Sequence, residues 1–136
     1  MDLQKAQQLL CSGEYTCVLC RDDTVYTSTR RGVAPLLELI DNGADVTGFS
    51  AADKVVGKAT ALLYRYMGVK ALYAKVISIA AIEVLDGILL KYDRRVPFIQ
   101  NREGTGCCPM ELAAKDINDP QKILSAVRYA LKKLKE

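Results

Sequence analysis

Apolar positions recur along this chain with two periods. From Asp2 to Leu10 they fall at Leu3, Ala6, Leu9 and Leu10, the one-face spacing of a short helix that Ser12-Gly13 closes. Tyr15–Cys20 and Thr24–Ser28 are β-prone runs separated by the turn Arg21-Asp22-Asp23, so they read as an antiparallel hairpin. Pro35–Asp41 reads as a helix with Pro in its first turn and Gly43 past its end. Asp45–Phe49 is a loop or a short extended piece. Ser50–Met67 carries the strongest helical pattern, with Ser50 as N-cap, Asp53 three residues on and Gly68 as the stop.

Val69–Ile77 reads as a mostly buried strand, followed by a helix from Ile79 to Leu90 capped by Ser78. Val96–Gln100 reads as a strand at or near an edge, because Pro97 cannot donate to a ladder. Asn101–Cys108 is a Gly-containing loop, Pro109 opens a helix, and Asp119-Pro120 starts a last one that ends in Lys132, Lys133 and Lys135. The later strands alternate with helices, which makes them parallel with right-handed crossovers. The expected fold is an α/β three-layer α/β/α sandwich on a mixed sheet, an N-terminal antiparallel hairpin followed by parallel strands. Its 136 residues form one domain, 1–136.

Composition narrows the function. Nineteen Lys+Arg against sixteen Asp+Glu give a net charge of +3, too little to argue for a nucleic-acid partner. The absence of His removes imidazole acid–base chemistry and His metal sites. Five Cys, an odd number, do not make a disulfide framework. The start of the chain has no leader pattern and no apolar run is long enough for a bilayer, so a cytoplasmic setting without membrane is expected. Neither a metal nor another cofactor is expected.

In open α/β sheets the ligand crevice lies beyond the carboxyl ends of the parallel strands. The helix starts at Ser50, Ser78 and Cys108 should converge there, each offering backbone N–H groups to an anion. Lys54 and Lys58, four apart on the expected helix, oppose its dipole, and a bound anion would relieve the conflict; the plainer reading is two solvated lysines. Gly57 inside that helix needs a reason, either close packing or close approach of a ligand. Residues 52–59 superficially resemble a phosphate-binding loop, but Ala52 and Ala59 replace its first Gly and its Ser/Thr.

The segment Asn101 to Glu111 is the second candidate. Asn101 and Arg102 supply donors for an anion, and Cys108, at the N-cap of the Pro109 helix, would carry a lowered thiol pKa. No His stands by as its base, so a capping or buried thiol is the plainer role. Glu111 suits a capping carboxylate. Cys17-x-x-Cys20 resembles half a zinc site, yet residues three apart on a strand face opposite sides. Glu83 and Asp86 form an acidic strip that is either a solvent face or part of the site.

The segments Asp53–Ala59, Val69–Ser78 and Asn101–Glu111 together resemble an uncharacterised bacterial family, a domain of unknown function placed in the cytidine-deaminase-like fold superfamily. The resemblance spans nearly the whole chain and implies that fold. It also implies self-association, which is common among such folds. The superfamily's zinc pattern, [HC]-x-E on one helix and P-C-x-x-C opening the next, has no counterpart here: Ser50–Lys58 holds no His, Cys or Glu, and Ser78–Val84 holds no Cys.

The expected function is therefore binding of a small anionic, phosphate- or nucleotide-like ligand in the strand-end crevice by Lys54, Lys58, Ser78, Asn101 and Arg102, without zinc-dependent deamination. Two alternatives stand beside it: a thiol-dependent enzyme or redox sensor built on Cys108, with Cys108 as the candidate catalytic residue, and a non-catalytic interaction or assembly module, with a homo-oligomer as partner.

Overall fold

The computed structural model of the chain describes residues 2–99 and 109–134. Among them, five strands form one mixed sheet in the order β2-β1-β3-β4-β5. Helix α1 (Asp2–Ser12) precedes the hairpin β1 (Cys17–Arg21) and β2 (Thr24–Ser28), whose turn places Asp22 at φ +53. Then come α2 (Ala34–Asp41), β3 (Ser50–Val56), α3 (Lys58–Met67), β4 (Ala71–Ser78), α4 (Ile79–Glu83), β5 (Leu89–Val96), α5 (Pro109–Ala114) and α6 (Pro120–Leu134). β1 runs antiparallel to β2 and β3, while β3, β4 and β5 are mutually parallel. The mixed sheet with its hairpin-first order is the architecture expected from the sequence, with one strand more.

That strand is β3. Ser50–Val56 is not the first half of a helix. Ala51 and Ala52 are fully buried between neighbouring strands, and Ala52 lies under α1. Small side chains let the two layers approach closely, and this packing outweighs Ala's helix propensity. Lys54 and Lys58 therefore do not share a helical face. The expected Ile79–Leu90 helix is likewise shorter. It stops at Glu83, the chain turns through Gly87 at φ +83, and Leu89 and Leu90 begin β5. The strand expected at Val96–Gln100 ends at Val96, followed by bends at Pro97 and Phe98. β5 is an edge strand with mostly exposed residues, which is why its charged sequence hides its strand character.

Two cores flank the sheet. On one side Ala6 and Leu10 of α1 pack with Val18, Cys20, Ala52 and Tyr73, using the apolar face legible in the sequence. On the other side a larger core joins Leu19, Ala51, Leu62, Leu72, Ile123 and Val127. Cys17 belongs to this core and Cys20 to the first, so the two thiols cannot share a metal.

Between the rows the alternation slips. Ala52 and Tyr73 face α1, yet Val56 and Ile77, four residues further along the same strands, pack in the opposite core. Strict alternation would keep them on one side. The register correspondingly skips from Asp53↔Ala74 to Val55↔Val76, and from Ala74↔Tyr92 to Val76↔Arg94. The offset between partners is the same before and after the gap, so no residue is inserted; the regular alternation is interrupted in step on all three parallel strands, at Lys54, Lys75 and Asp93, and the Val55 N–H turns to Asp53 Oδ1 at 3.3 Å.

Candidate functional site

The carboxyl ends of β3 and β4 are neighbours, so α3 and α4 start side by side. The correction to β3 moves the first helix start from Ser50 to Lys58, to the rim where a ligand crevice belongs. Ser78 caps α4 as expected, its Oγ accepting the Ala81 N–H at 3.1 Å. That oxygen is engaged in the cap.

α3 has no cap of its own. Gly57 at its N-cap is extended, with φ −95 and ψ −179. Glu111 of α5 supplies the acceptor instead: its Oε1 takes the Lys58 backbone N–H at 2.6 Å. A Cβ on Gly57 would overlap that carboxylate and would lie 3.3 Å from Ile99 Cγ1. Gly57 thus lets the Glu111 carboxylate lie close against the start of α3. Glu111 is a capping carboxylate as expected, but for a different helix from its own. Burial pushes its pKa up, opposed by the Lys58 amide bond and the Lys58 charge.

Lys58 is not a solvated lysine. It is 7% exposed, and its Nζ donates to the Lys115 carbonyl at 2.9 Å. Its backbone and side chain therefore grip α5 at the first turn and just past the last. Beside it opens a cleft of about 260 Å³ lined by Lys58, Arg65, Ala80, Glu83, Asp86 and Asn118, together with Val84. The Arg65 guanidinium donates to the Val84 carbonyl at 3.1 Å. Glu83 and Asp86, the acidic strip of the sequence, border this cleft.

Of the other expected site residues, Lys54 is half-buried in β3, on the α1 side of the sheet in line with Ala52 and opposite to Lys58. Asn101, Arg102 and Cys108 lie outside the described residues. On either side of that segment, Ile99 and Glu111 meet at Gly57.

A polar cluster that sequence reading missed sits in the larger core. The Tyr64 hydroxyl donates to Asp53 Oδ2 at 2.7 Å, and Cys17 Sγ lies 3.3 Å from the same hydroxyl. Asp53 is no capping-box residue. Burial pushes its carboxyl up to about 7, against the Tyr64 bond and the amides of Val55 and Lys54. Burial and the Asp53 charge push the Cys17 thiol well up, so it is a poor nucleophile. Burial pushes Tyr64 up as well. The available signal was an Asp inside an otherwise small and apolar run. Cys17 also borders a smaller cavity of about 90 Å³ beneath the hairpin, with Tyr26 and Glu38.

These features define a three-layer α/β/α protein with a polar cleft at the carboxyl ends of its parallel strands. The chain matches the family described as TM1506, domain of unknown function (DUF1893), over residues 5–131, and it belongs to that family. The family carries no assigned function. The solved structure of a DUF1893 family protein (TM1506) from Thermotoga maritima is similar, with a TM-score of 0.86 and 27% identity, covering 94% of this chain and 88% of that one. No curated protein matches. Among the described residues, no helix is long and apolar enough to cross a membrane.

Proposed function

We propose that this chain is a metal-independent binder of a small anionic, phosphate- or nucleotide-like ligand, built on a cytidine-deaminase-like fold. The observation that carries the reading is the buried Lys58 ammonium in the strand-end cleft. An ammonium has three N–H donors, and the Lys115 carbonyl takes one. A ligand phosphate or carboxylate beside it would gain a charge-assisted bond in a partly desolvated place. Arg65 adds a second positive charge, and Glu83 and Asp86 would accept from ligand hydroxyls or amines. Arg102 and Asn101 are the further donors in this reading. Lys54, on the other side of the sheet, drops out of it, and Ser78 holds the helix start that shapes the cleft.

The absence of zinc ligands supports the same reading. In the superfamily the metal sits at two strand-to-helix turns. Here the strand-to-helix turns run Gly57-Lys58-Ala59 and Ser78-Ile79-Ala80, and neither holds His or Cys. A fixed ammonium repels a divalent cation and attracts an anion.

Calorimetry with inorganic phosphate, sugar phosphates and nucleoside monophosphates at two salt concentrations tests the reading. Wild type binds at least one of them, more weakly at high salt. Lys58→Met and Arg102→Ala each weaken binding about tenfold or more, the loss of one charge-assisted bond. Binding of none of the panel, or equal binding by both variants, overturns it.

A further inference from the structure

The four charges that border the Lys58 cleft are sorted by element and by depth. Lys58 and Arg65, seven positions apart on α3, lie on one face of that helix. Glu83 ends α4 and Asp86 lies in the turn after it, so both carboxylates come from the element packed against α3. Lys58 is buried and Arg65 half-buried, whereas Glu83 and Asp86 are exposed. Positive charge therefore lies at the floor of the cleft and negative charge at its mouth.

These opposite charges do not neutralise one another. Among the described residues the ion pairs are Arg30–Glu38 and Arg128–Asp41, none of whose members lines the cleft. Among the same residues, the Glu83 and Asp86 carboxylates have no hydrogen-bond partner. Lys58 and Arg65 keep N–H donors beyond the bond that each makes to a carbonyl.

A ligand with negative charge alone satisfies the floor but is repelled by two carboxylates at the mouth. A ligand hydroxyl there leaves that repulsion standing. An ammonium offsets it and donates to the carboxylates. Two carboxylates make no cage for a metal ion, and among the described residues no group of three or more His, Cys, Asp or Glu could hold one. The cleft volume of about 260 Å³ is below the ~300–1,000 Å³ of pockets for drug-sized ligands, so what it encloses is small.

We propose that the cleft selects a small zwitterion, a phosphate or carboxylate with a primary ammonium a few bonds away, its anion on Lys58 and Arg65 and its ammonium at Glu83 and Asp86. This rests on the anion reading of the same cleft and adds the second charge of the ligand.

Calorimetry of the full chain with two matched pairs in EDTA tests it: aminoethyl phosphate against ethyl phosphate, and β-alanine against propionate. In at least one pair the amine is expected to bind about tenfold tighter, the worth of one charge-assisted bond. The pair that responds tells phosphate from carboxylate. Glu83→Gln and Asp86→Asn should reduce that preference while ethyl phosphate or propionate binds as well as before or better. Both alter exposed side chains and keep the test valid if Lys58→Met, which should weaken every member, misfolds. If ethyl phosphate or propionate binds and its amine adds nothing, the zwitterion falls and the anion reading stands. If nothing in either pair binds, the zwitterion falls as well, and the phosphate and nucleotide titrations decide the anion reading separately. A preference that survives in both carboxylate variants, or ethyl phosphate that matches its amine once magnesium replaces EDTA, would also overturn the proposal.

Discussion

Glu111 Oε1 accepts the backbone N–H of Lys58 at 2.6 Å, across 53 positions of sequence. With the return bond from Lys58 Nζ to the Lys115 carbonyl, it fastens α5 to the start of α3 by both of its ends. The carboxylate also sits in the favourable field of the α3 dipole. A methyl group at residue 57 would push this carboxylate aside and break its bond to the Lys58 N–H.

Gly57→Ala should therefore destabilise the fold by about 1–3 kcal/mol, the cost of leaving the part-buried Lys58 amide without its acceptor. In a Glu111→Ala background the same change should cost much less, because the overlapping carboxylate is gone. Chemical denaturation of the four proteins of this double-mutant cycle measures the difference. Additive costs would show that Gly57 answers to something other than Glu111.

Asp53 should make stability depend on pH in an unusual direction. An unfolded Asp gives up its proton at about 3.9, whereas the folded one keeps it to about 7. The folded state binds the extra proton in between, so stability falls as pH rises through that window. The contribution is fully present below about pH 4 and lost above about pH 7, an effect of the order of 4 kcal/mol. Asp53→Asn, which still accepts from Tyr64, should flatten that slope. Urea denaturation from pH 4 to pH 8 reads it, and a wild-type slope unchanged in the variant would exclude Asp53 as its source.

The helices and hairpin that touch solvent on one side were legible in the sequence, because their apolar spacing is the direct image of a single buried face. α1, α2, α6 and the hairpin follow their patterns closely. β3 and β5 did not show, for opposite reasons. β3 is buried on both faces by small residues, and Ser50-Ala51-Ala52 looks helical by propensity alone. β5 lies at an edge; its first two residues continued the helical pattern of Ile79–Leu90, and its charged middle carried no apolar alternation to mark a strand. The interruption at Lys54 and Lys75 compounds this by breaking the period of two. Of the helix starts expected at the site, Ser78 was legible, whereas the start of α3 lies at Lys58 and not at Ser50. The reach of Glu111 to α3 and the Tyr64–Asp53 bond are long-range contacts that no local spacing records.

The thiols should separate by burial. Cys11 is exposed, while Cys17 and Cys20 are buried with pKa values pushed up. Brief treatment of the native protein with iodoacetamide near neutral pH should modify Cys11 well before Cys17 or Cys20, with all three reacting once urea is added. Peptide mass spectrometry assigns the sites. Rapid labelling of Cys17 in the native state would contradict its place in the core.

The most direct test of an anion site at Lys58 is a residue-resolved titration. Two-dimensional ¹H–¹⁵N spectra of the full chain, recorded with increasing adenosine monophosphate and separately with inorganic phosphate, locate the bound anion. Saturable shifts centred on Lys58, Arg65, Glu83 and Asn118, and lost in Lys58→Met, are the predicted result. Spectra that do not change, or shifts confined to Lys54 and Lys75 on the other side of the sheet, would contradict it.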